Sequence, residues 1–285
     1  MTRVAIVAAM AGELKPLVRG WVHERRGKIE LWRWRFDQGE WVAACGGAGI
    51  DAATRAFAEI EKDGAPDLVI SVGWAGALST VVATGEGYWV SGVIDARTGE
   101  RYEVSAFPPL RQKEGARMGH GADADYPDEE QPQVLRLRSP GRPPLRMTEG
   151  AGESGRWLVT SPTVADDREK RRLAETYKAG LVDMEAAGIA RLAQMRGIPF
   201  YCFKGVSDGF TDKLPDFNRF IRPDGQFDLT GMVLFSILRP WYWPSLVRMG
   251  ENSKKASQSI REALLDFLDE RAIIRQRNGY PNFKS

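Results

Sequence analysis

Short apolar segments, each followed closely by glycine or an acidic residue, constrain the fold of this chain more than any other feature. Four of them have the length and the β-branched, aromatic composition of buried strands: residues 4–10, 41–45, 67–72 and 200–206. Residues 51–61 have helical spacing, with Ala52, Ala56 and Ile60 on one face. Strands that alternate with helices predict an α/β fold in which helices cover the faces of a central sheet.

The pattern continues on both sides of an irregular region. We predict three further helices and one further strand: helices over 11–18, 184–196 and 253–270, and a strand over Trp157–Thr160. The glycine-containing tetrapeptides 46–49 and 73–76 are predicted to be turns after their strands. Residues 106–154 are rich in Pro, Gly and charge and lack any period, which predicts an irregular insertion in a single domain spanning 1–285.

Composition and charge exclude several classes of protein. With 40 basic and 38 acidic residues, the formal net charge is +2, too small for the basic field of a dedicated nucleic-acid-binding protein. Two cysteines and two histidines without a ligand cluster give no basis for a metal or haem site, and we expect no cofactor. The strongest apolar run, 229–238, is shorter than the roughly 20 residues of a spanning helix. The first residues lack the features of a signal peptide, so we expect a cytoplasmic protein.

Acidic residues follow or lie near the ends of several predicted strands. In doubly wound sheets, ligands bind beyond the carboxyl ends of the strands, so polar residues there are candidates for a site. Glu13 follows the first strand, Asp208 follows the last, and Glu185 lies at a helix start that could face the same crevice. Three carboxylates without metal ligands around them suit acid–base chemistry or the binding of sugar hydroxyls.

Each candidate also has a purely structural interpretation. Glu13 and Glu185 could be first-turn or capping residues stabilised by a helix dipole, and residues 207–209 could simply form a turn. The glycines of 46–49 could let the backbone approach a ligand or make a tight turn, and they do not match a nucleoside triphosphate-binding loop. Cys202 lies inside a predicted strand and is interpreted as a core residue rather than a nucleophile.

The same residues, in the same order, resemble the nucleoside phosphorylase/nucleosidase superfamily. The resemblance covers most of residues 1–100 and 157–220, in the segments VAIVAAMAGEL (4–14), GGAGIDAATRA (46–56), PDLVISVGWAGAL (66–78), VDMEAAGIARLAQMRGIPF (182–200) and KGVSD (204–208). Within the superfamily the pattern is most similar to the methylthioadenosine/S-adenosylhomocysteine nucleosidases. The resemblance implies a three-layer fold, with a central mixed sheet flanked by helices.

The resemblance also implies a role for each candidate. Glu13 matches the glutamate that activates the attacking water, and Glu185 matches the glutamate that holds the ribose hydroxyls. Asp208, oriented by Ser207, matches the aspartate that protonates adenine at N7. The other substrate-binding positions are Met10, Ala48, Trp74, Val164 and Met184, the last packing on the sugar. Cleavage develops positive charge on the ribose and negative charge on the adenine. A general base on one side of the nucleoside and a general acid on the other therefore suit this reaction, provided that the acid keeps its proton in a dry site.

The chain departs from the superfamily pattern at several positions. Trp74 replaces the small hydroxyl residue that usually lies near the nucleophile, and no arginine pair forms a clear phosphate clamp, although Lys204 and Arg55 are candidates. Val164 takes the place of the aromatic side chain that stacks on adenine. Ala48 takes that of a bulkier apolar residue, which would widen the pocket around the 5′ substituent. Since Glu13 is present and a clamp is not evident, we expect water rather than phosphate as the nucleophile.

Residues 221–250 form an apolar extension that the compact nucleosidases lack. It combines an apolar run with aromatic and basic residues: Trp241, Tyr242, Trp243, Arg239 and Arg248. This composition is typical of a peripheral membrane contact, here over 229–243, and equally of a helix packed in a core or in a dimer interface. The extension and Trp74 also resemble the hopanoid-associated phosphorylase branch. That resemblance implies adenosylhopane as the substrate, which an apolar annex near the pocket would suit.

Three functions therefore stand beside one another. The first is an enzyme that cleaves the N-glycosidic bond of a 5′-substituted adenine nucleoside with water and releases adenine. The second has the same fold and releases adenine from adenosylhopane. The third is a non-catalytic nucleoside-binding protein, which Trp74 and Val164 favour. Because members of the superfamily are commonly dimers or hexamers, we also expect a homo-oligomer, most simply a dimer. The expected ligand is a small purine nucleoside and not a nucleic acid.

Overall fold

In the computed structural model, which describes residues 2–36, 39–105 and 157–270, eleven strands form one mixed sheet. The strands are β1 (Thr2–Ala8), β2 (Val22–Arg26), β3 (Ile29–Phe36), β4 (Gly39–Cys45), β5 (Leu68–Ala77), β6 (Gly87–Trp89), β7 (Gly92–Asp95), β8 (Arg101–Glu103), β9 (Trp157–Thr160), β10 (Leu181–Asp183) and β11 (Phe200–Asp208). The helices are α1 (Ala11–Leu14), α2 (Ile50–Glu61), α3 (Asp167–Tyr177), α4 (Ala186–Arg196), α5 (Leu229–Ile237) and α6 (Trp243–Glu270), with 3-10 turns at Phe217–Phe220 and Pro240–Tyr242.

The sheet is organised around β5. Its order is β2-β3-β4-β1-β5-β10-β9-β7-β8, and β11 branches from β5 and carries β6. β1 is parallel to β4 and β5, and β11 is parallel to β5. The carboxyl ends of β1, β4, β5 and β11 therefore lie at one edge of the sheet, where ligands bind in folds of this kind.

Helices cover both faces of the sheet because the strands bury alternate side chains on opposite sides. Ala5 and Val7 of β1 belong to a core shared with α2 and α4. Val4 and Ile6 belong to a second core shared with α1 and α6, to which Ile260 contributes. The predicted α/β fold, with a mixed sheet between helical layers, is confirmed.

Two predicted boundaries are wrong. Residues 73–76 are not a turn: β5 continues to Ala77 because β11 pairs with it through Gly73↔Lys204 and Trp74↔Gly205. The helix predicted over 11–18 ends at Leu14. The predicted insertion at 106–154 lies outside the described residues.

The apolar extension forms a helical hairpin. α5 is followed by the 3-10 turn Pro240–Tyr242, and α6 begins ten residues before the helix predicted at 253. Among the described residues, no helix is both long and apolar enough to cross a membrane.

Candidate active site

Glu13 is buried between the end of β1 and the middle of β5. It is 2% exposed, and its Oε2 accepts hydrogen bonds from the backbone N–H groups of Ala9 and Met10, each at 2.9 Å. Its Oε1 accepts one from Trp74 N at 2.7 Å. A Cβ on Gly73, whose φ is +146°, would lie 2.9 Å from Oε1, so this close approach requires glycine. Burial raises the pKa of Glu13 despite these backbone donors, which makes its carboxylate a stronger base.

Asp208 ends β11 beside the same stretch of β5. Its Oδ1 accepts a 2.6 Å hydrogen bond from Ser207 Oγ, and its Oδ2 forms an ion pair with Lys170 Nζ. Lys170, from α3, is 1% exposed and also donates to Gly209 O at 2.7 Å. A Cβ on Gly76 would lie 3.0 Å from Asp208 Oδ2, so glycine again makes room for the acid. The carboxylate is thereby held from both sides, and Lys170 places a proton donor directly beside it.

Glu185 directly precedes α4 and binds the backbone of the glycine segment 46–49. Its Oε1 accepts a hydrogen bond from Gly49 N at 2.8 Å, and its Oε2 accepts one from Met184 N at 3.2 Å. Burial, helped by the charges of Asp183 and Glu13, raises the pKa of Glu185 to about 8. Backbone hydrogen bonds link the two glutamates: Ala9 N donates to Glu13, Gly47 N donates to Ala9 O, and Gly49 N donates to Glu185.

A buried ion pair lies beneath these carboxyl groups. Lys204 Nζ is 2.8 Å from Asp183 Oδ2, and the two side chains are 1% and 0% exposed. Thr160 Oγ1 donates to Asp183 Oδ1 at 2.7 Å, and Ala186 N donates to Asp183 Oδ2 at 2.9 Å. Burial alone would lower the pKa of Lys204, but the charge of Asp183, its hydrogen bond to Lys204 and the charges of neighbouring groups such as Glu185 together outweigh burial, and the pKa is raised. Lys204, a predicted candidate for a phosphate ligand, is therefore part of a structural ion pair.

Trp74 binds Glu13 through its backbone N–H rather than through its ring. The indole Nε1 donates to Ser257 Oγ at 2.9 Å and to Ser253 O at 3.1 Å, both on α6. A Cβ on Gly12 would lie 3.2 Å from the ring. The side chain is thus fixed between α1 and α6, where a small hydroxyl residue could not reach.

A cavity of about 230 Å³ opens next to Glu185. Two predicted substrate-binding residues, Ala48 and Met184, line it, together with the turn at 221–225. Three arginines also line it: Arg55, Arg97 and Arg222. Glu13, Glu185 and Asp208 are not among its lining residues, whereas Gly49 and Met184 are, so the cavity lies to the Met184 side of the carboxyl cluster.

The remaining predicted positions lie at the edges of this region. Val164 is half-buried, and Asn218 holds its backbone: Val164 N donates to Asn218 Oδ1 at 2.7 Å, and Asn218 Nδ2 donates to Val164 O at 3.0 Å. Cys202 is buried in the core, as predicted, and burial raises the pKa of its thiol to about 12, which disfavours a nucleophilic thiolate. No group of three or more His, Cys, Asp or Glu side chains within the described ranges could hold a metal ion.

Comparison with known proteins gives one family and many similar folds. A model of the phosphorylase superfamily matches residues 3–226. Similar solved structures include the Arabidopsis thaliana 5′-methylthioadenosine nucleosidase, at 15% identity and a TM-score of 0.60 over 99% of this chain and 98% of that one. The S-adenosylhomocysteine nucleosidase of Streptococcus pyogenes has 15% identity and a TM-score of 0.59 over 94% and 96%. The futalosine hydrolase of Helicobacter pylori has 14% identity and a TM-score of 0.58 over 94% and 98%. A comparison with curated proteins gives no match.

Proposed function

Because this chain belongs to the phosphorylase superfamily, we propose that it hydrolyses the N-glycosidic bond of a 5′-substituted adenine nucleoside and releases adenine. The observation that carries the proposal is the grouping of two buried acids on one half of β5. Glu13 approaches Gly73, and Asp208 approaches Gly76, three residues further along the same strand. Glu185 follows β10, which pairs with β5 through Val182↔Gly76.

Glu13 serves as the general base in the proposed reaction. Its raised pKa suits the removal of a proton from water, whose oxygen then bonds to the anomeric carbon of the ribose. Glu185, whose hydrogen-bond donors Gly49 and Met184 line the cavity, accepts hydrogen bonds from the ribose hydroxyls in place of those it accepts from these two residues. The positive charge that develops on the ribose is stabilised by the carboxylates nearby.

Asp208 supplies the proton that the leaving base requires. As the bond between the anomeric carbon and N9 breaks, its electron pair passes to the adenine. The ammonium group of Lys170, paired with Asp208 Oδ2, transfers a proton to that carboxylate, and the carboxyl group so formed passes the proton to N7. Ser207, which donates to Oδ1, keeps the acid oriented throughout.

Two observations favour water over phosphate as the nucleophile. The two side chains predicted as candidates for a phosphate clamp have other partners. Lys204 pairs with Asp183, and Arg55 donates to Asp224 O at 2.6 Å. Arg55 also lines the cavity on the Met184 side, away from Glu13.

The cavity beside Met184 is the proposed place of the 5′ substituent. Its volume of about 230 Å³, with Ala48 in its wall, accommodates a group larger than a hydroxyl. One observation favours a second candidate substrate, adenosylhopane. The turn at 221–225, which forms the edge of the cavity, is followed within a few residues by the exposed apolar side chains of α5.

Product analysis tests the proposal. The purified protein is incubated with 5′-methylthioadenosine, S-adenosylhomocysteine or adenosine, with and without phosphate, and adenine and the sugar product are quantified by chromatography. We expect adenine and free sugar at a rate that does not depend on phosphate, lost in Asp208→Asn and kept in Asp167→Asn, a change at an exposed acid of α3.

Two outcomes contradict the proposal. A sugar phosphate formed only with phosphate would make the protein a phosphorylase. Tight binding of adenine without turnover of any nucleoside, adenosylhopane included, would favour the non-catalytic binding protein.

A further inference from the structure

The exposed apolar side chains of the described residues are concentrated in one place. Eight of the eleven large ones lie within nineteen residues: Leu229, Val233, Leu234, Ile237, Leu238, Trp241, Trp243 and Val247. We call these eight residues the apolar face. Each is between 44% and 76% exposed, whereas Val22, Val81 and Met195 are isolated elsewhere. A contiguous exposed apolar patch on a folded protein marks a contact surface.

The helical hairpin that carries the apolar face is held in place by hydrogen bonds and ring contacts. Asp228 caps α5 by accepting a hydrogen bond from Gly231 N at 3.0 Å. Trp243 Nε1 donates to Ser236 O at 2.8 Å and so ties the start of α6 back to α5. Arg239 stacks over the ring of Phe235 at 3.8 Å. These contacts fix the hairpin while its apolar side chains remain exposed to water, so an external partner is needed to bury them.

The charged side chains within the segment of the apolar face are both basic. Residues 229–250 contain Arg239 and Arg248, and the nearest acidic residues in the sequence, Asp228 and Glu251, lie just outside the segment at its two ends. Trp241, Tyr242 and Trp243 lie among the aliphatic side chains. Apolar side chains interspersed with tryptophan and arginine match the boundary between acyl chains and anionic headgroups.

The geometry points to a bilayer surface containing anionic lipid as the partner of the apolar face. α5 has nine residues and is about 13 Å long, too short to span a hydrocarbon core of roughly 30 Å but suited to lying within the interface. A second copy of this chain is the weaker match. In a twofold contact, the arginines of one apolar face would meet a surface with the same arginines, and the flanking carboxylates lie only at the two ends of the segment: Asp228, which caps α5, and Glu251.

Binding at this surface would bring the substrate pocket close to lipid. Phe220, directly before the pocket turn at 221–225, packs on Phe235 of α5 with ring centroids 5.3 Å apart. Asp228 N donates to Phe220 O at 2.7 Å. The hairpin and the pocket edge are therefore joined by direct contacts. The membrane inference stands without the proposed reaction, since vesicle binding is measured without any nucleoside.

Vesicle flotation tests the inference with the full-length protein. Vesicles of phosphatidylcholine alone are compared with vesicles that also contain phosphatidylglycerol. We expect binding to the mixed vesicles that falls as salt is added, because the electrostatic part is screened. The triple variant Leu234→Gln, Leu238→Gln and Trp241→Gln changes side chains that are 60%, 76% and 68% exposed, and should reduce the partition coefficient at least tenfold.

Matched controls separate surface chemistry from unfolding. Val81→Gln with Met195→Gln changes side chains of 73% and 72% exposure elsewhere on the surface, and should bind vesicles like the wild type. Arg248→Gln should weaken binding to the mixed vesicles but not to pure phosphatidylcholine. Wild-type protein that fails to float with either vesicle overturns the inference. So does a wild-type oligomer that dissociates in the triple variant without any vesicle binding, since a second copy then covers the apolar face.

Discussion

Replacement of Lys204 by methionine tests whether the carboxyl cluster depends on a buried cation. The side chains of Lys204 and Asp183 are 1% and 0% exposed, and their charged atoms are 2.8 Å apart. Methionine retains most of the apolar stem but leaves Asp183 with no charge partner at that distance. Removal of one partner from a buried ion pair costs about 3–5 kcal/mol.

The expected change in melting temperature follows from the length of the chain. Unfolding entropy of about 2.1 cal/mol/K per residue gives roughly 0.6 kcal/mol/K for 285 residues, so the loss corresponds to about 5–8 °C. The loss should be smaller at pH 5 than at pH 8, because the carboxyl groups left without Lys204 take up protons as the pH falls. Lys204 lowers the pKa of both Glu13 and Glu185, so its removal raises both.

Thermal and urea denaturation of the wild type and of Lys204→Met measure this loss directly. Lys62→Met, which removes an exposed i,i+3 pair with Glu59, is the matched control and should cost less than about 1 kcal/mol. The double variant Lys204→Met, Asp183→Asn should cost less than the sum of its parts, because it removes both charges. A Lys204→Met protein within 1 kcal/mol of the wild type at pH 8 would refute the idea that this pair neutralises the cluster.

Three further changes probe other parts of the site. Asp208→Asn should lower turnover about 10²-fold or more, and it should also lower the melting temperature, because it leaves the buried Lys170 without its charge partner; an unchanged rate in the folded variant would remove Asp208 from the mechanism. The pKa of Glu185 is raised in the folded protein from 4.5 to about 8, so its contribution to stability is full below pH 4.5 and is lost as the pH rises through 8. Glu185→Gln should therefore gain stability relative to the wild type between pH 5 and pH 9 in urea unfolding, and a constant difference would show that Glu185 is not a buried titrating acid. Trp74→Phe loses the indole hydrogen bonds to Ser257 and Ser253 and should cost about 1–2 kcal/mol, whereas no loss would place the ring outside the packing between α1 and α6.

Local patterns in the sequence were sufficient to predict the central strands. Phe200–Asp208 is buried along its whole length, and Leu68–Ala77 is buried except at the half-buried Trp74; a continuous apolar run is typical of such strands. The extent of β5 was mispredicted because Gly73 and Gly76 suggest a turn when seen alone. In the structure these glycines remain in a strand and make room for Glu13 and Asp208, a requirement that only the tertiary contacts reveal.

The carboxyl residues of the site were predictable from their positions after strands, but the buried lysines that pair with carboxylates there were not. Lys170 lies in the segment DREKRR, where nothing distinguishes it from its exposed neighbours, and only the packing of α3 brings it to Asp208. Lys204 lies in an apolar strand, a signal of burial that could have suggested a paired charge. The strand Ile29–Phe36 was also missed, although IELWRWRF contains enough apolar alternation to predict it.

A crystal structure of Asp208→Asn with bound 5′-methylthioadenosine would show whether the three carboxyl residues surround one nucleoside. We expect adenine N7 within hydrogen-bond distance of residue 208, the ribose hydroxyls on Glu185, and the 5′ group in the cavity beside Met184. We also expect a water molecule between Glu13 and the anomeric carbon. A nucleoside bound elsewhere, or one whose ribose contacts neither Glu13 nor Glu185, would contradict this arrangement.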